Sequence, residues 1–263
     1  MSWPVEHGAG GVAGPAGVVE VCGPADRSFA WASLTKLLTA LATLVAVEEE
    51  TVDLDQPAGP PGATLRHLLA HASGRGPEPG QTLAKPGSRR IYSNAGIEEV
   101  GEVVARRSAM PFGEYVHGAV LEPLGMRSTR WGGSAATGTE GPLTDLLALA
   151  QELLRPSLIA AGTLAEATRP AFPGLAGVLP GFGRQAPNDW GLGFEIRGHK
   201  DPHWTGSNNS ASTFGHFGRA GGFLWVDRDA DLACGCLTDG GFGPWAIREW
   251  PALSDDVLAE HLR

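Results

Sequence analysis

The chain has 263 residues, of which 42% are hydrophobic and 19% charged, with a formal net charge of -9. That length suits one large domain or two closely packed parts, with enough core to line a cleft, and the composition is neither that of a disordered chain nor that of a membrane protein. An acidic chain without a Lys/Arg block offers no footprint for nucleic acid or an anionic membrane surface, so neither is expected as a partner.

From Met1 to Gly17 the sequence is Gly-rich, carries Glu6, and lacks the basic and apolar regions of a secretory signal, which predicts a cytoplasmic protein. Cys22, Cys234 and Cys236 are an odd set, expected as reduced core thiols with the last two pointing to opposite faces of a strand. Gly17 to Cys22 reads as a strand. Ser33 to Val47, without Gly or Pro, reads as a helix, and its apolar stretch Leu37 to Val47 is too short to span a bilayer and reads as buried. Thr64 to Ala72, Ala95 to Arg107, Pro111 to Leu121, Pro142 to Leu154 and Ile159 to Thr168 show helical spacing between Gly/Pro punctuation. From Gly191 the texture turns to strands: Gly191 to Arg197, Ser212 to Phe217, Gly222 to Asp227 and Asp231 to Thr238. A turn at Asp227 to Ala230 joins the last two, and a final helix follows near Ser254 to Leu262. Strands at both ends and helices between them predict an α+β fold: one catalytic unit with a sheet-containing part, 1–50 plus 185–263, and an inserted helical part, 51–184. The cleft between the parts is the expected site.

Ser33-Leu34-Thr35-Lys36 puts a hydroxyl and an amine three residues apart on one helical face, at a helix N-terminus whose free N–H groups favour an oxyanion. An apolar helix would desolvate Lys36, lowering its pKa so that a neutral amine can act as base. With 14 Ser and 3 Lys, an SxxK spacing arises by chance roughly 0.16 times. Tyr92-Ser93-Asn94 is rarer: two Tyr and four Asn give a YxN match roughly 0.03 times. A packed core tyrosine and a helix-capping asparagine are the plain alternative for these residues. His216-Phe217-Gly218 has a spacing expected about once by chance, and His216 read plainly is a strand histidine. It nevertheless precedes Arg219 and the Gly221-Gly222 pair, where backbone can approach a ligand.

In these motifs the sequence resembles the serine β-lactamase and penicillin-binding-protein superfamily, in particular the class C β-lactamase-like esterases and D-aminopeptidases, whose class A relatives are known for an SxxK set. Thr64 to Gly74 (TLRHLLAHASG) and Pro123 to Trp131 (PLGMRSTRW) are similar to stretches found widely in that group. The resemblance implies a β-lactamase/transpeptidase-like fold, an antiparallel sheet flanked by helices with an inserted helical region. It also implies a covalent acyl-enzyme on Ser33, proton exchange through Lys36 and Tyr92, and an Asn94 that orients substrate and hydrogen-bonds Lys36. His216 would stand opposite Tyr92, and the N–H groups of Ser33 and of Arg219, after Gly218, would form the oxyanion hole. No cofactor and no metal are implied. Where the best-known β-lactamases carry Lys-Thr-Gly this chain has His216-Phe217-Gly218, which weakens anchoring of a substrate carboxylate and favours a small-molecule ester or amide over a β-lactam or cell-wall peptide.

Three other readings stand beside this one. His67 and His71, four apart on a predicted helix, have a zinc-compatible spacing without the Glu of a metalloprotease. A non-catalytic binding module would keep the fold without turnover. A β-lactamase or D,D-peptidase would share the nucleophile but prefer another acyl donor. No GxSxG elbow or nucleotide-binding loop is present. Trp190, Trp204, Phe214, Phe217 and Trp225 are read as mostly core, with an apolar acyl pocket as the alternative, and the loop Trp204 to Ser212 as a flexible rim beside the site.

Overall fold

The computed structural model describes residues 3–262. Its strands are β1 (Gly8–Gly14), β2 (Gly17–Cys22), β3 (Phe29–Ala30), β4 (Arg130–Trp131), β5 (Thr139–Gly141), β6 (Gly177–Leu179), β7 (Gly183–Gln185), β8 (Glu195–Ile196), β9 (Phe214–Gly218), β10 (Gly222–Asp227) and β11 (Leu232–Thr238). Its helices are α1 (Thr35–Glu48), α2 (Leu65–Leu69), α3 (Asn94–Ser108), α4 (Phe112–Val116), α5 (Leu143–Leu154), α6 (Ala161–Ala167) and α7 (Pro244–His261). An antiparallel sheet runs in the order β2-β1-β11-β10-β9-β8, so strands from the two chain ends meet where β1 pairs β11.

The pleat sorts the sheet's side chains between two cores. Leu224, Val226, Ala233 and Leu237 face the core shared with α1 and α5, whereas Phe223, Trp225, Cys234 and Cys236 face α7 and its Trp250 and Leu258. Cys234 and Cys236 therefore share a face, contrary to expectation, because residues two apart on a strand point the same way. All three thiols are free, and Cys22 is exposed. α1 is buried from Thr35 to Leu44 and again at Ala46, and reaches solvent at Glu48, which is why its sequence is apolar around most of the circumference.

Several elements differ from expectation for local reasons. β1, hidden in the Gly-rich start, is a strand because Gly11 faces α5, where a Cβ would come within 2.7 Å of the Leu147 side chain. The segment at Ser33 opens as a 3-10 turn, Ala32–Leu34, before α1 begins. α2 stops at Leu69, and His71 then takes a left-handed φ of 53°. The strand expected at Gly191 to Arg197 shrinks to β8, since Gly191 packs against the Ala167 carbonyl and Gly193 has φ 88°. The last helix starts ten residues earlier than expected, with Pro244 in its first turn and Pro251 accommodated inside, because Ala246 and Trp250 bury against the sheet.

Candidate active site

Ser33 sits in the 3-10 turn between Trp31 and α1. Trp31 is locked in the core by two hydrogen bonds, from its indole Nε1 to the Gly141 carbonyl (3.0 Å) and from its backbone N to the Thr139 carbonyl (2.9 Å). Ala32, directly before Ser33, is held at φ 46°, a conformation that a residue with a Cβ adopts only under constraint. Part of that constraint comes from β9: a Cβ on Gly218 would lie 2.4 Å from the Trp31 carbonyl oxygen, so only glycine lets the strand end press against the turn. The glycine of the HxG element thus brings Arg219 beside Ser33.

Lys36 Nζ donates to Ser33 Oγ at 3.0 Å and to the Ala136 carbonyl at 2.8 Å, while the Tyr92 hydroxyl donates to the same Ser33 Oγ at 2.8 Å. The ammonium lies 5.0 Å from the Tyr92 ring centroid. Burial pushes the Lys36 amine down to about 7, and the nearby Glu98 carboxylate only partly offsets it. Burial also drives the Tyr92 phenol well above its usual range, although its bond to Ser33 acts the other way. At neutral pH the centre therefore holds a serine hydroxyl between a neutral phenol and an amine near its midpoint.

Asn94 is exposed and lines the cleft as the first residue of α3. The cap is Ser93 instead, whose Oγ accepts from Gly96 N at 2.9 Å. No hydrogen bond joins Asn94 to Lys36 among the described residues: the Ala136 carbonyl takes that place. His216 is buried, with its ring 5.9 Å from that of Tyr92. Its Nδ1 lies 2.7 Å from the Phe217 carbonyl, which can only accept, so Nδ1 carries the proton and Nε2 is a bare acceptor with no hydrogen-bond partner among the described residues. Burial, then the Lys36 charge, pushes this imidazole down to about 3. Arg219 is exposed at the rim.

The cleft has a volume of about 820 Å³. Its walls include Trp190, Phe217, Phe242 and the hairpin β6–β7, an element the sequence reading left unassigned. Of the five aromatics considered for a pocket, Trp190 and Phe217 reach the cleft, while Trp204, Phe214 and Trp225 are core. The loop 204–212 does not line the cleft; it is tied to Asp227 and Asp255 by Ser210 and Asn208.

Residues that motif spacing missed complete the surroundings. Glu195, on the cleft floor, is buried with Lys200, which contacts its Oε1, and with His203 and Trp204, which lie 2.9 and 2.8 Å from its Oε2. Burial alone would raise the Glu195 carboxyl; the charges and hydrogen bonds of His203 and Lys200 outweigh it and hold the group ionised. His71 packs its ring against Tyr92 and Trp190, both at 4.7 Å, and its Nδ1 accepts from Ser93 N at 3.2 Å. His67 instead stacks on Phe172 and bonds Thr64, so the two histidines considered for zinc have separate structural partners. Glu98 was legible in principle, being one helical turn beyond Asn94 on α3.

Comparison with known proteins bears on the family and the fold. The family model described as Beta-lactamase matches residues 5–257. A β-lactamase from Mycobacterium bovis is 56% identical, with a TM-score of 0.98 over 99% of this chain and 97% of that one. Two more distant structures share the fold. EstCE1, a hydrolase with promiscuous acyltransferase activity, has 18% identity and TM-score 0.76 over 93% of each chain. A D-stereospecific amidohydrolase from Streptomyces sp. has 19% identity and TM-score 0.71 over 94% of each chain. Among curated proteins no sequence matches significantly.

Proposed function

The chain belongs to the Beta-lactamase family, a family of hydrolases, and from that premise we propose that it is a serine hydrolase that forms an acyl-enzyme on Ser33 and acts on a carboxylic ester or small amide. The observation that carries this reading is the convergence of Lys36 Nζ and Tyr92 Oη on Ser33 Oγ, in a cleft, with the lysine pushed to about 7. The neutral fraction of Lys36 accepts the Ser33 proton as Oγ attacks the acyl carbon. Tyr92, kept as a phenol, relays a proton to the leaving alcohol or amine, and the same groups then activate the water that releases the acid. The oxyanion is assigned to the N–H groups of Ser33 and Arg219, each worth about 2.7–4 kcal/mol if it behaves like oxyanion donors elsewhere. Asn94, on the cleft wall, is assigned to substrate orientation.

The state of His216 supports an acyl donor without a carboxylate. A permanent cation at this place would attract one; a neutral imidazole presenting a buried lone pair does not. The apolar Trp190, Phe217 and Phe242 suit a short hydrocarbon acyl or alkoxy group. A second reading, β-lactam hydrolysis, is favoured by the description of the 56% identical Mycobacterium protein as a β-lactamase, and Arg219 at the rim is the cation that would serve it.

Purified wild type and Ser33→Ala, given p-nitrophenyl butyrate and nitrocefin and followed by intact mass, separate these readings. The expected result is ester turnover and a transient acyl adduct in wild type, both lost in Ser33→Ala, with little nitrocefin hydrolysis. Preferential nitrocefin turnover would establish the second reading, and absence of any adduct on either substrate would overturn both.

A further inference from the structure

The loop that supplies the Lys36 acceptor is held in place by one carboxylate that does not reach the cleft. Glu98, on the second turn of α3, accepts from Ala135 N at 3.0 Å, from Ala136 N at 3.2 Å and from the Ser134 hydroxyl. Ser134 Oγ in turn accepts from Thr137 N at 3.0 Å, so one side chain organises four consecutive residues. From the other side α1 meets the same loop: Thr39 Oγ1 donates to the Ala135 carbonyl at 2.7 Å, and Lys36 Nζ donates to the Ala136 carbonyl at 2.8 Å. The Glu98 carboxylate lies behind the loop, on a separate surface cavity beside Phe112 and Trp131, and is absent from the walls of the active-site cleft.

We propose that Glu98 is a positioning residue for the Ser33 centre: through the 134–137 loop it aims the Ala136 carbonyl at Lys36, and it is the carboxylate that balances the Lys36 ammonium. The other titratable groups facing Lys36 leave that task to Glu98. Tyr92, preceding α3, is held as a phenol, and His71, after α2, and His216, on β9, are both pushed down by burial and stay neutral. Neither a phenol nor a neutral imidazole carries a negative charge to pair with an ammonium. Among the charged side chains it is Glu98 whose field acts on the Lys36 amine, raising it against the larger effect of burial.

This inference deepens the proposed serine-hydrolase reading, but its test does not depend on turnover. The chain has three lysines, so Cε-labelled lysine gives a spectrum in which Lys36 is assigned by its loss in Lys36→Met. Exposed Lys85 serves as internal control. In Glu98→Gln the Lys36 titration midpoint should fall by on the order of 1 pH unit, with Lys85 unmoved, while Glu98→Asp, which keeps the charge, should restore most of the shift. In the same variants the acid limb of kcat/KM for p-nitrophenyl butyrate should follow the Lys36 midpoint. Thermal melting checks that each variant is folded. An unmoved Lys36 midpoint in folded Glu98→Gln, or equal shifts in the Gln and Asp variants, would overturn the inference and leave Glu98 a loop-packing residue. Full ester turnover in Ser33→Ala would instead overturn the serine-hydrolase reading, while the Lys36 midpoint continues to report on Glu98.

Discussion

Lys36 is buried with its amine pushed from 10.5 to about 7, which is a statement about stability as well as chemistry. Because the folded-state value lies below the ordinary one, the unfolded chain binds a proton that the folded chain sheds between about pH 7 and 10.5. Stability from this group therefore rises with pH across that window, and below about pH 7 its full cost is present. Lys36→Met should abolish ester turnover yet stabilise the fold by about 1–4 kcal/mol at pH 6, the difference shrinking by pH 10, as read by urea unfolding at the two pH values. His216 works in a lower window: held at about 3, it costs stability as pH falls from 6.5 toward 3, when the unfolded chain takes up a proton the folded one refuses. At this scale the local pairing was legible, since Ser33 and Lys36 are three residues apart on one turn. The protonation states were not, because the surfaces that desolvate Lys36 and His216 come from distant segments.

At the scale of elements, the approach of β9 to the 3-10 turn decides whether Ser33, the proposed nucleophile, has the Arg219 N–H beside it. A methyl at position 218 would meet the Trp31 carbonyl at 2.4 Å, and both are backbone-anchored, so neither yields cheaply. Gly218→Ala is expected to lower kcat/KM for the ester about 10²-fold, as a displacement of roughly 1 Å in a site does. Stability should fall by only about 1–3 kcal/mol, because the strain is confined to one strand end. Kinetics and denaturant midpoints measured on the same preparation distinguish this from general unfolding. The long elements α1, α3 and α5, and the strands β9 to β11, were readable from periodicity. β1 was not, since glycine is depleted in strands and this one needs its glycine at position 11 because α5 and the Glu20 carbonyl of β2 lie against it. The β6–β7 hairpin has three-residue strands, too short to carry a periodic signal.

Across the whole molecule, the sheet closes by pairing the first strands with the last, from Gly8 opposite Thr238 to Ala13 opposite Ala233. Deleting residues up to Cys22 would strip β11 of its neighbour and uncover its ladder edge. The expected outcome is aggregation with loss of the cooperative melt, observable by light scattering and circular dichroism, even though no candidate site residue is removed. β2 forms the outer edge with Val18, Val19 and Val21 exposed. No helix among the described residues is long and apolar enough to cross a membrane.

The sequence by itself determined the α+β class and the family resemblance and singled out Ser33, Lys36 and Tyr92 as candidates, because these rest on short motif spacings and on periodicities that local geometry obeys. Tertiary structure decided what those residues face. The Ala136 carbonyl rather than Asn94 receives Lys36, Glu98 holds that carbonyl in place, His216 is locked as a neutral acceptor, and Glu195 is ionised beneath the cleft. The first two depend on partners 100 and 38 residues apart in the chain, and the states of His216 and Glu195 on burial; desolvation is a property of the packed surroundings, which no local spacing encodes.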